Sequence, residues 1–175
     1  MRAIRRRHRF QTDSEPRGLA EPATPHLRPS GKVFIACGLW LVGLGGWFIF
    51  LRPALLPEDL RYLGGSLDAI RAAVPGVERW LGHVFDVMGG FMVAAGALTV
   101  LAAWRLRARP ERASLAALSL AGAAGVALMS ATNFVLGSDY RWLLLVPVLL
   151  WLAGLICLVR EGAASRMTGS RTAKT

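Results

Sequence analysis

Long apolar runs alternate with short charged segments along the chain. Four runs hold almost no charged residue, and they extend over about 33–51, 84–104, 115–136 and 142–159. A helix rises 1.5 Å per residue, so about 20 apolar residues cross a hydrocarbon core about 30 Å thick. The pattern therefore predicts an all-α integral membrane protein, a four-helix bundle with four spans.

Small residues are concentrated inside these runs. In the third span, Ala113, Ala117, Ala121 and Gly125 recur every four residues and would form one ridge on a helix. The first two spans are rich in glycine. Between membrane helices, small residues let the backbones approach closely. We expect tight helix packing in spans one and two, and a helix contact along the ridge of span three.

The longest connection, residues 52–82, carries the sequence signals of two short helices. Pro57 is followed by two acidic residues, which is typical of a first helical turn. Ser66 suits an N-cap, and Leu67 and Ile70 would share one face of the helix that follows. Pro75 then ends the pattern. We predict two amphipathic helices that form a cap on the outer side of the bundle.

The ends of the chain differ in composition from its apolar part. Residues 1–31 hold seven arginines and four prolines, which predicts a disordered basic cytoplasmic tail. The membrane domain extends over 32–160, and a short polar tail covers 161–175. The net charge of +10 comes mainly from arginines in tails and loops beside apolar runs. This distribution favours anionic lipid headgroups over nucleic acid as the partner of the basic tail.

The unequal distribution of basic residues predicts an orientation. Eight Lys and Arg precede residue 33, four lie in 105–112 and four follow 159. In contrast, 52–82 has four, and the last turn has only Arg141. The positive-inside rule then places both termini in the cytoplasm. Arginine greatly outnumbers lysine, and alanine and glycine are abundant, as in proteins from GC-rich bacteria. We therefore predict a bacterial inner (cytoplasmic) membrane.

Under this topology, polar residues of several segments gather at the outer side. His83 and Asp86 lie one helical turn apart at the start of span two, and Asn133 lies near the end of span three. A carboxylate inside a membrane is costly without a partner, and it usually marks a pairing or a site. The candidate polar cluster consists of His83, Asp86, Asn133, Asp139, Glu58, Asp59 and Arg61.

Three interpretations of this cluster compete. In the structural one, Asp86 and Asn133 hydrogen-bond across helices and to nearby arginines. In the second, the cluster is an outward-facing binding or transport site in which His83 titrates near neutral pH. In the third, His83 and Asp86 join a loop acid in a metal or hydrolytic site, but the ligands are too few and no H-E-x-x-H motif occurs.

We accordingly predict no catalytic residue, no metal site and no cofactor. The expected function is that of a non-enzymatic accessory or scaffold protein that associates with itself or with another membrane protein. The alternative is a small-solute or lipid-binding transporter component that uses the polar site around His83 and Asp86.

Three stretches resemble a group of small four-helix proteins of bacterial inner membranes that have no known activity. They read RPALLPEDLRYLG, WLGHVFDVMGGFMVAAGALT and NFVLGSDYRWLLL. The resemblance covers about residues 33–159 and leaves out both tails. It implies the four-helix architecture and the inner membrane, and it assigns no functional residue.

Overall fold

A computed structural model describes residues 27–105 and 112–172. Every regular element in these ranges is helical. In chain order they are α1 (Pro29–Phe50), α2 (Pro57–Leu63), α3 (Leu67–Ala73), α4 (Val77–Arg105), α5 (Arg112–Ala121), a π-helical segment (Gly122–Ala127), α6 (Leu128–Val135), a 3-10 turn (Leu143–Leu145) and α7 (Val146–Thr172). The segment from α5 to α6 is continuous and is called the third long helix (Arg112–Val135).

Four of these helices are long and apolar enough to cross a membrane: α1, α4, the third long helix and α7. This confirms the predicted all-α fold with four apolar helices, and it suggests a membrane protein. Most of the predicted disordered tail and of the basic 105–112 loop lies outside the described residues. The first helix begins at Pro29, before the start of the predicted span.

Helix α1 is the central helix of the bundle. It packs most extensively against α4 and, on another side, against α7. The third long helix packs mainly against α7. The neighbours therefore follow the order α4, α1, α7, third long helix. The two outermost members of this series face each other across a lateral groove.

A seam of small residues joins α1 to α4. A Cβ on Gly38 would lie 2.7 Å from the carbonyl oxygen of Gly96, and a Cβ on Gly96 would lie 2.5 Å from that of Gly38. Neither position has room for a side chain. The positions repeat every seven residues on both antiparallel helices, which keeps one seam facing the partner. The three pairs are Gly31 with Ala103, Gly38 with Gly96, and Gly45 with Gly89.

Aromatic packing joins α1 to α7 and the third long helix. The ring of Phe34 meets the Trp151 indole edge-on at 5.4 Å between centroids. The Trp151 Nε1–H then donates to the Leu118 carbonyl at 3.0 Å. In a regular α-helix that carbonyl would accept from residue 122, where the π-helical segment begins. A Cβ on Gly122 would collide with the same indole. The π-helical segment therefore coincides with the docking of Trp151.

One partly buried polar contact connects the start of α1 to α7. The Ser30 backbone N–H donates to Glu161 Oε1 at 3.0 Å, and its hydroxyl donates to Oε2 at 2.7 Å. The N–H groups at a helix start lack partners within the helix, and a carboxylate there is favoured by the helix dipole. Glu161 thus supplies to α1 the cap that the residue before it, Arg28, does not.

Two short helices form the predicted cap. Asp59 accepts the Leu56 N–H at 2.8 Å in the first turn of α2, and Ser66 accepts the Ala69 N–H at 3.2 Å at the start of α3. Gly64, with φ of 68°, ends α2 in the left-handed conformation. Both helices predicted in the long connection are confirmed. Contacts to the turn after the third long helix place α2 at that end of the bundle.

Candidate functional site

The cap borders a small, partly open cavity of about 230 Å³. Its walls come from the end of α1, the start of α2 and the turn that follows the third long helix. This cap cavity combines charged side chains with aromatic rings. Its lining includes Trp47, Phe48, Arg52, Glu58, Asp59, Asn133, Ser138 and Tyr140.

Arg52 is fully engaged inside the cap. Its guanidinium lies 3.2 Å from the Asp59 carboxylate and donates to the carbonyls of Pro53 and Ala54 at 2.8 and 3.4 Å. The group also lies 3.5 Å from the centroid of the Phe85 ring, a cation–π contact that attaches the loop to α4. Burial lowers the pKa of Arg52 below its usual value, and the Asp59 carboxylate acts in the opposite direction. The opposite charges of Arg52 and Asp59 leave the ion pair neutral overall.

Glu58 is the most buried charged residue of the cap, with 4% of its surface exposed. Its Oε1 accepts a hydrogen bond from the Ser138 hydroxyl at 3.2 Å. This bond connects α2 to the turn after the third long helix. Burying a carboxylate is costly unless other groups satisfy it, so Ser138 matters for this residue. Nothing in the sequence around Ser138 marked it as a partner of Glu58.

Arg61 and Asp139 form a second connection between α2 and the same turn. Their nearest atoms are 2.8 Å apart, and both side chains are more than half exposed. The Asp139 carboxylate raises the pKa of Arg61. An ion pair this open to solvent adds little to stability. Of the predicted cluster, the structure thus brings together Glu58, Asp59, Arg61 and Asp139.

Asn133 also lines the cap cavity, but its side chain bonds within its own helix. The Nδ2 group donates to the Met129 carbonyl at 2.9 Å. The predicted bond between Asn133 and Asp86 across helices is not among the contacts of the described residues. Asn133 therefore lines the cavity, while its side-chain amide is hydrogen-bonded within the third long helix.

His83 and Asp86 lie apart from the other members of the predicted cluster. The His83 Nδ1 and the Asp86 carboxylate are 3.8 Å apart on one face of α4, and the two side chains are 77% and 54% exposed. Neither residue lines the cap cavity or the lateral groove. Both side chains are therefore exposed on the outside of the bundle. The residues proposed for a transport site are thus split between two places.

The lateral groove between α4 and the third long helix is the larger concavity, with about 790 Å³. Leu41 of α1 and Trp151 of α7 lie at its base. Small residues line both sides: Ala95 and Ala102 on α4, and Ala117, Ala121 and Gly125 on the third long helix. The ridge predicted from the sequence therefore borders an open groove.

Polar groups are few in the lateral groove. They are Thr99, whose hydroxyl donates to the Ala95 carbonyl at 2.8 Å, Ser114 and Arg105. Among the described residues, no group of three or more His, Cys, Asp or Glu is placed to hold a metal ion. The groove offers van der Waals surface and little acid–base chemistry.

Comparison with known proteins adds no assignment. No family model, curated protein or solved structure matches this chain.

Proposed function

We propose that this protein is a non-enzymatic accessory or scaffold protein that receives a transmembrane helix of a partner protein in its lateral groove. The observation that carries the proposal is the open groove with small residues on both sides. Ala117, Ala121 and Gly125 face it from the third long helix, and Ala95 and Ala102 face it from α4. Small residues at such spacing let another helix backbone approach closely.

The remaining lining residues suit an apolar helix as well. Met88, Met92 and Met129 border the groove. Methionine is flexible and adapts to irregular partners, so it is common at surfaces that receive helices. The bundle thus offers a partner helix two small-residue walls and an adaptable apolar lining.

Photocrosslinking in cells tests this proposal. Phe91 lines the groove and is largely exposed, so a photoreactive phenylalanine derivative replaces it with little change of shape. Leu120, exposed on the third long helix and outside the groove lining, serves as the control site. We expect an adduct between position 91 and a transmembrane segment of one protein, identified by mass spectrometry, and no such adduct from position 120.

A groove-filling variant completes the test. Ala121→Leu places a larger side chain in the groove, whereas Ala124→Leu changes an exposed position that does not line it. We expect the first change to abolish the adduct from position 91 and the second to preserve it. An adduct that survives Ala121→Leu, or adducts to lipid alone, would contradict the proposal.

We further infer that the bundle lies in a bacterial inner membrane with both termini in the cytoplasm. The excess of Lys and Arg in the tails and the 105–112 loop supports this orientation. Trp80 and Trp104 are exposed near the two ends of α4, about 36 Å apart along the helix, which suits rings at the two interfaces. The basic N-terminal residues would then contact anionic headgroups.

Cysteine labelling tests the orientation. Asp68 is exposed in α3, so we expect Asp68→Cys to react with an impermeant maleimide in intact spheroplasts. A cysteine added after Thr175 should react only after the membrane is opened. The reverse labelling pattern would show the opposite orientation in the membrane and contradict this inference. A transporter component with a site at His83 and Asp86 stays the alternative prediction, although neither residue lines a cavity described above.

A further inference from the structure

The cap cavity has properties that the helix-docking function does not use. It holds about 230 Å³, less than a typical drug-sized site but enough for a small molecule. It is formed by three segments distant in sequence, the end of α1, the start of α2 and the turn after the third long helix. Its lining combines a buried acid with aromatic rings.

The charges that line the cavity do not cancel. Arg52 is neutralised by Asp59 at 3.2 Å, and its other donors bond to backbone carbonyls. Glu58 remains. Within the described chain, the Ser138 hydroxyl is the one hydrogen-bond donor to its carboxylate, although 96% of the residue is removed from solvent. The nearby Arg61 pairs with Asp139 at 2.8 Å. Among the lining residues, one negative charge is left over.

Aromatic rings line the same cavity as this charge. Trp47 and Tyr140 line the cavity with their ring centroids 6.1 Å apart and their planes tilted by 56°. Phe48 lines it as well. The faces of aromatic rings attract cations, and ammonium groups are commonly bound by several such rings. A buried carboxylate would add the counter-charge and a hydrogen-bond acceptor.

We propose that the cap cavity binds a small organic cation with an alkylammonium group, with Glu58 as the counter-charge and Trp47 and Tyr140 as its aromatic walls. An anion would meet the Glu58 carboxylate, and the one guanidinium in the lining is already paired. The ammonium group belongs either to a free amine or to the headgroup of a lipid such as phosphatidylethanolamine. This site is independent of the lateral groove, so each proposal can fail without the other.

Binding is measured by calorimetry on the purified full chain in a detergent without amines. The probes are tetramethylammonium chloride and ethanolammonium chloride, and sodium chloride at equal ionic strength is the control. We expect saturable binding of at least one ammonium probe. Glu58→Gln keeps the shape of the side chain but removes its charge, and it should weaken binding at least tenfold. Asp68→Asn, which changes an exposed acid of α3 outside the cavity lining, should leave binding unchanged.

A second pair of variants covers the case in which Glu58→Gln does not fold. Tyr140→Phe keeps the ring and should retain binding, whereas Tyr140→Leu should weaken it severalfold. No saturable binding by the wild-type protein would overturn the proposal. So would unchanged binding by a folded Glu58→Gln variant, or by Tyr140→Leu.

Nanodiscs distinguish the two sources of the ammonium group. If a lipid headgroup is the natural ligand, discs that contain phosphatidylethanolamine should suppress binding of tetramethylammonium, and discs of phosphatidylglycerol alone should not. If a free amine is the ligand, binding should be equal in both kinds of disc. Either result identifies the source, and loss of binding in both kinds of disc would contradict the site.

Discussion

Replacement of Gly96 by alanine should open the seam between α1 and α4. The new methyl group would lie 2.5 Å from the Gly38 carbonyl oxygen and 2.8 Å from the Val42 side chain. Carbon–oxygen contacts between helices normally lie at about 3.3 to 3.6 Å, so the backbones must separate by nearly 1 Å. Overpacking of this kind costs about 1–3 kcal/mol. The obstacle is backbone, which cannot move away alone.

The same helix provides a matched control. A Cβ on Gly90 would meet nothing within 4 Å. Alanine is a better helix former than glycine by up to about 1 kcal/mol, so Gly90→Ala should be neutral or slightly stabilising. The two variants share one chemical change. We therefore expect Gly96→Ala to be less stable than Gly90→Ala by about 2 kcal/mol.

Equilibrium unfolding in detergent micelles measures this difference. Increasing mole fractions of dodecyl sulfate unfold the protein, and its six tryptophans report the transition by fluorescence. The double variant Gly38→Ala with Gly96→Ala should lose less stability than the sum of the single losses, because the first methyl group already separates the helices. Equal unfolding midpoints for Gly96→Ala and Gly90→Ala would refute the close approach of the two helices.

Three further predictions concern polar contacts, each read by the same unfolding assay. Glu161→Ala should destabilise the protein by about 1–3 kcal/mol, because it leaves the buried Ser30 donors without an acceptor; an unchanged midpoint would count against this cap. Asp59→Asn should lower stability by a similar amount, because the largely buried Arg52 loses its counter-charge, and a loss confined to high salt would contradict this. His83→Ala should leave the midpoint unchanged, since its side chain is 77% exposed. A clear loss would show that its contact with Asp86 stabilises the protein.

Local signals made the helices predictable. The four apolar runs are long enough to cross a membrane, and the charged residues that flank them mark where each run begins and ends. The short helices of the cap followed from Pro57 and Ser66, whose roles in helix starts depend only on neighbouring residues. Such signals act over a few positions, so the sequence alone contains them.

The pairing of the helices was harder to predict from the sequence, because it depends on the rotation of each helix about its axis. The glycines in the sequence indicated close packing between helices, but they did not show that Gly38 faces Gly96. The recurrence of small residues every seven positions on both helices was the sequence signal from which the seam could have been predicted. The Ser30 and Glu161 contact spans 131 positions and left no local trace. Asp86 is exposed on α4 and does not line the cavity that Asn133 lines, so the predicted cluster is divided.

The glycine seam also limits which parts of the bundle can move. Sliding α4 along α1 to the next matching position would take a whole heptad, about 10 Å, and would leave one small-residue pair unmatched. The seam therefore opposes sliding of the first two long helices along each other. The third long helix, which forms the other side of the lateral groove, packs mainly against α7 and contains the π-helical segment. A change in the width of the groove would then require the third long helix, alone or together with α7, to move relative to the α1–α4 pair.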